Sequence, residues 1–251
     1  MLEYSFTPLD KQYDDGFGAV GLSFKEAAES LTAEDDRNKF LHNHLPFNFL
    51  YRHSIELFLK GIIIILHRRL QLPSGDALHD RNPRILISGK WKELYQVHGI
   101  GELYNSFKSM VTTYSLELKQ IADTDWAATP NELDEWICNI DEADQSSTFF
   151  RYPVTKNLRG DIKKSSIQET TPKDVLVNHK ADGKLVKALM FTDDNDTVIN
   201  AYKFIDEPMS DLSFALKNTA DLLSGAHLGL MAELVYSQKT PPNTSLERTK
   251  S

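Results

Sequence analysis

The sequence predicts a mainly α protein, an antiparallel helical bundle carrying a small β-hairpin insertion. One long segment, Pro46 to about Leu70, is apolar on nearly every side, as a helix surrounded by other helices must be. Three further segments repeat apolar residues at three- and four-residue spacing, the signature of amphipathic helices packing around it. A single pair of β-rich runs, split by an Asp-Asp-Asn-Asp turn, supplies the hairpin.

In chain order, Val20, Phe24, Ala27, Ala28 and Leu31 place a first amphipathic helix over Gly18 to Thr32. The acidic run Glu34-Asp35-Asp36 interrupts it, and Leu45-Pro46 opens the central helix, because proline in a first turn loses no hydrogen bond. Asn48, Arg52, Glu56 and Lys60 follow one another at intervals of four and draw one polar stripe down that apolar rod. Leu72-Pro73-Ser74-Gly75 ends the helix, and Arg84-Ile85-Leu86-Ile87 reads as a short strand. A helix over about Gly99 to Ala122 buries Leu103, Phe107, Met110, Val111, Tyr114 and Leu118. Thr129-Pro130 starts another, with Thr129 as N-cap, reaching about Ala143.

After Phe149-Phe150-Arg151-Tyr152-Pro153 comes a stretch of Lys, Ser and Thr without periodicity, expected to be an exposed, irregular insertion. Lys184 to Phe191 and Thr197 to Ile205 are the two arms of the hairpin. Glu207-Pro208 opens a last helix to about Gln238, and Thr240-Pro241-Pro242 begins a polar tail. The organisation expected is one helical domain over residues 1–239, with an insertion at about 155–206, and a disordered tail over 240–251.

Bulk chemistry narrows the function classes. A formal net charge of -8 disfavours indiscriminate coating of nucleic acid or anionic membrane, since both need a broad positive field. The basic clusters His67-Arg68-Arg69 and Lys156 to Lys164 read as a helix end and a solvated loop. The single cysteine, Cys138, forbids an internal disulfide and a paired-cysteine zinc site. No apolar run approaches the roughly 20 residues of a membrane span, and Met1-Leu2-Glu3-Tyr4 opens no secretory signal, so a cytoplasmic protein without a membrane partner is expected. His42 and His44 meet no third ligand at a defined spacing, so neither a metal nor another cofactor is expected.

The run Arg52-His53-Ser54-Ile55-Glu56-Leu57-Phe58-Leu59-Lys60, the later His98-Gly99-Ile100-Gly101-Glu102-Leu103 and the segment Phe150-Arg151-Tyr152-Pro153 after Asp144 resemble, in that order, bacterial proteins of the HEPN superfamily. The resemblance covers about Pro46 to Pro153 and implies a HEPN-like bundle. The tail Pro241 to Ser251 is similar to short polar extensions on some proteins of bacterial mobile gene cassettes. Catalytic members of the superfamily are metal-independent ribonucleases whose motif is Arg, a polar residue, three to five further residues and His, which Arg37-Asn38-Lys39-Phe40-Leu41-His42 matches. His42 would then be the general base on a ribose hydroxyl, Arg37 the phosphate clamp and Asn38 an orienting group, with two copies meeting as a homodimer.

The family's motif lies ahead of the last bundle helix, where this chain has Asp206-Glu207-Pro208-Met209-Ser210-Asp211 and no histidine. The expected function is therefore a non-catalytic binding or interaction module, with RNA or a nucleotide as ligand and a homodimer as the assembly. The ribonuclease is the alternative. Ionised groups beside an apolar core need partners, so Glu56 is expected to be buried and paired with Arg52 or Lys60, with Arg151 approaching and His53 and Tyr152 completing the network.

Overall fold

A computed structural model describes residues 6–33, 41–72, 83–145, 147–175 and 187–237. Helix α1 is Phe17–Ala33, and the central helix α2 is His44–Arg69, both close to their expected spans. Every residue from Ser54 to Leu66 in α2 is buried, so the Gly61-Ile-Ile-Ile-Ile-Leu66 run forms the middle of one continuous core. Its all-round apolarity is what permits packing by neighbours on every side.

The chain then makes a two-stranded antiparallel hairpin, β1 (Arg84–Ile87) and β2 (Lys90–Glu93), turning through Ser88 and Gly89 at positive φ. The helix expected over Gly99 to Ala122 is two: α3 (Ile100–Thr113) and α4 (Ser115–Ile121), divided at Tyr114. Helix α5 is Asn131–Asp144, entered from an extended Pro130, so Pro130 and not Thr129 holds the cap position. Helix α7 is Ser210–Leu230, begun after Met209 in the left-handed region and continued by a π-helical segment Met231–Tyr236.

Side-chain pairs fix the helix directions. Phe24 meets His53 edge-on at 4.5 Å, while Gly21 lies against Phe58, so α1 and α2 are antiparallel. Gly101 N–H donates to Asp141 and Lys108 bonds Asp134, making α3 and α5 antiparallel as well. In contrast, Asn48 donates to Ser213 near both helix starts and Phe58 meets His227 farther along both. Helices α2 and α7 are therefore parallel, which corrects the expectation of a bundle antiparallel throughout. The long crossover between them, from β1 to the start of α7, makes that direction accessible, where a short loop would force reversal.

The insertion is more ordered than its composition suggests. Helix α6 (Leu158–Lys164) and strand β3 (Ile167–Thr170) occupy the stretch expected to be irregular. The expected hairpin is present as β4 (Ala188–Thr192) and β5 (Val198–Phe204), and β3 pairs with the other side of β5, giving the antiparallel order β3-β5-β4. Lys164 explains the missed order: its ammonium is buried, bonds Asp161 and the Tyr152 carbonyl, and stands 4.0 Å from the Phe149 ring centroid. A lysine in a polar run carries no periodicity signal, so its burial is decided by tertiary packing. No described helix is long and apolar enough to cross a membrane.

Candidate functional site

The polar stripe of α2 is buried as a charge cluster. Arg52, Glu56 and Lys60 lie one turn apart on one face, and all three are at most 3% exposed. Glu56 accepts from Arg52 Nη1 through Oε2 and from Lys60 Nζ through Oε1 at 2.9 Å. Arg52 Nε donates to Asp144 Oδ2 at 3.1 Å, and Asp144 Oδ1 accepts the Phe149 N–H at 2.8 Å. Two cations and two anions thus neutralise one another inside the bundle. Burial alone would raise the Glu56 pKa, but the Lys60 charge and hydrogen bond, the Arg52 charge and the His98 hydrogen bond outweigh it and hold the group down at about 2.

The cluster converges on one segment, Tyr95 to His98. Arg52 Nη2 donates to the His98 carbonyl, Lys60 Nζ reaches the Tyr95 carbonyl at 3.4 Å, and Glu56 Oε1 meets His98 Nδ1 at 2.8 Å. The His98 side chain is 51% exposed, so among the described residues it carries the cluster to the surface. Because Glu56 is a carboxylate, Nδ1 of His98 must donate, which in the neutral ring leaves Nε2 as an acceptor for an outside partner. The extended Gly99 that follows is the N-cap of α3.

Asp144 and His98 are the members missing from the sequence-based set. Asp144 continues the buried row Leu133, Ile137, Ile140 of α5, and a carboxylate at a core position of an amphipathic helix is a legible signal. His98 offered only its place ahead of a helix start.

Three expected members stand elsewhere. Arg151 does not reach Glu56; its guanidinium lies 5.9 Å from the Phe49 ring centroid. His53 stacks on Phe49 and meets Phe24 edge-on, and burial pushes its pKa down. The Tyr152 side chain is exposed, and its carbonyl serves Lys164. The cause is a turn in which the Arg151 and Tyr152 N–H groups both donate to the Thr148 carbonyl, directing the Arg-Tyr-Pro segment away from the cluster while α5 delivers Asp144 to it.

Of the expected ribonuclease set, Arg37 and Asn38 lie outside the described residues. His42 takes positive φ at the start of α2, and its Nδ1 accepts the Ser166 N–H at 3.2 Å. His44 Nε2 bonds the Lys164 carbonyl at 2.7 Å. Together the two histidines fasten the insertion to the bundle. With Nδ1 accepting, the neutral His42 ring carries its proton on Nε2 and has no second lone pair to act as a base. Among the described residues, no group of three or more His, Cys, Asp or Glu stands where it could hold a metal ion.

A second buried pair packs against α2 at Phe58 and Gly61. His227 Nε2 meets Asp14 Oδ2 at 2.8 Å, and Asp14 also accepts the Gly16 and Gly18 N–H groups. Both side chains are sealed from solvent, unlike His98. Compared with family models, curated proteins and solved structures, the chain matches none of them.

Proposed function

We propose that this chain is a non-catalytic HEPN-like bundle that binds a ligand at His98, with a nucleotide or single-stranded RNA as the ligand class. The observation that carries the reading is the direction of the buried charges. Replacing a buried ion cluster by apolar side chains is often neutral or stabilising, so such a cluster is weak as a device for stability. Here Arg52 and Glu56 bond His98 and Lys60 bonds the Tyr95 carbonyl three residues ahead of it, and among the described residues His98 is the exposed outlet of the cluster. A ring held at both its backbone and its inner nitrogen presents Nε2 in a fixed direction, which lowers the entropy cost of binding.

The test is fluorescence anisotropy with labelled mononucleotides and single-stranded oligoribonucleotides. His98→Ala is expected to abolish binding while lowering stability by only about 1 kcal/mol, the net worth of one hydrogen bond to a partly exposed group. Binding that survives His98→Ala unchanged removes the reading. The same RNAs incubated in EDTA test catalysis: no cleavage is expected, and cleavage that disappears in His42→Ala would replace this proposal by the ribonuclease.

A further inference from the structure

We infer that β4 is a pairing edge that joins two copies of this chain, strand to strand, into one continuous antiparallel sheet. Strand β4 is at the margin of the order β3-β5-β4, and all five of its residues, Ala-Leu-Met-Phe-Thr, are exposed. Leu189 is 48%, Met190 39% and Phe191 50% exposed. Proteins protect free edges with charge, proline or cover. The strands β1, β2, β3 and β5 each carry a charged residue, and β4 alone of the described strands has none.

Hydrogen-bond phase settles which groups are free. Phe204 N–H donates to the Lys187 carbonyl at 2.8 Å, and those two residues lie directly opposite in the β4–β5 register, one step beyond Ala188 and Lys203. Lys187, Leu189 and Phe191 therefore turn their backbone groups toward β5, and Ala188, Met190 and Thr192 turn theirs outward. A two-fold axis normal to an antiparallel sheet places one residue opposite its own mate. Centred on Met190, the axis pairs Met190 with Met190 and Ala188 with Thr192, so every outward group of β4 is satisfied.

The same register is chemically complementary. Leu189 falls opposite Phe191 of the second copy on one face, twice by symmetry, giving the aliphatic–aromatic cross-strand pairs that stabilise sheets. Just beyond the strand, Lys187 falls opposite Asp193, again twice. A second copy thus supplies apolar partners where the strand is bare and opposite charge where it ends. This surface is independent of what His98 binds.

The experiment combines sedimentation equilibrium with register-specific cross-linking. The protein is expected to sediment as a dimer across the micromolar range, and Met190→Pro, which removes an outward N–H and no internal hydrogen bond, as a monomer. In a Cys138→Ser background, Leu189→Cys and Phe191→Cys chains mixed together are expected to form a disulfide-linked heterodimer. Residues opposed in a non-hydrogen-bonded pair stand about 4.5 Å apart at Cα, within bridging distance. Each variant alone should cross-link far less. A monomer at all concentrations, a dimer indifferent to Met190→Pro, or single variants that cross-link as well as the mixture would each overturn the inference. If Met190→Pro unfolds, the cysteine mixture still decides.

Discussion

Glu56→Gln is expected to destabilise the chain by about 3–5 kcal/mol, the usual consequence of removing one partner from a buried ion cluster. The substitution keeps the shape of the side chain but leaves Arg52 and Lys60 with Asp144 as their only counter-charge in the cluster. Urea denaturation at neutral pH measures the loss. Its pH dependence supplies a second signature. The folded-state pKa of about 2 lies below the ordinary 4.5, so ionised Glu56 favours the folded chain at pH values above the ordinary carboxylate range. That contribution, about 3 kcal/mol by linkage, falls away as pH drops from about 4.5 and is gone below about 2. The stability difference between wild type and Glu56→Gln should therefore shrink through that window. A difference that is constant from neutral pH to pH 2 would show that the carboxylate is not held ionised by its neighbours.

Gly18→Ala is expected to cost about 3 kcal/mol although it adds one methyl group. A Cβ at Gly18 would stand 2.0 Å from His227 Cε1 and 2.2 Å from Nε2, well inside van der Waals contact. The ring has nowhere to retreat, because Gly61 of α2 closes the opposite side, with its own Cβ position 3.2 Å from His227 Cδ2. Overpacking a rigid core costs roughly 1–3 kcal/mol, and here the displaced ring also gives up the Asp14 hydrogen bond. Thermal or urea unfolding measures the effect, and a double-mutant cycle assigns it. In a His227→Ala background the penalty of Gly18→Ala should largely vanish. Gly225 is the internal control: its Cβ would meet nothing within 4 Å, so Gly225→Ala should stabilise α7 by about 0.5–1 kcal/mol through helix propensity alone.

The helices of this protein were legible because their physics is local. Thirteen consecutive buried residues in α2 correspond to a run apolar on every side but one polar stripe, and the boundaries of α1 and α2 follow from where that pattern starts and stops. The four-residue rhythm of Arg52, Glu56 and Lys60 also sufficed to foretell their mutual pairing, since a helix alone brings those side chains together. Strands β4 and β5 were legible from two β-rich runs and an acidic turn. Strand β3 was not, because a polar edge strand is defined by the partner it finds.

Tertiary structure alone decided the rest. That Asp144 and not Arg151 completes the cluster depends on where α5 ends and how the next turn bends. That α2 and α7 are parallel depends on the crossover between them, and that His42 serves Ser166 depends on an insertion 124 residues away in sequence. Sequence by itself determined which of the long segments are helical and which charges of α2 share a face, because those follow from covalent spacing. That Arg52, Glu56 and Lys60 are sealed from solvent while His98, bonded to Glu56 and Arg52, is half-exposed was fixed only by packing, through contacts between residues far apart in the chain.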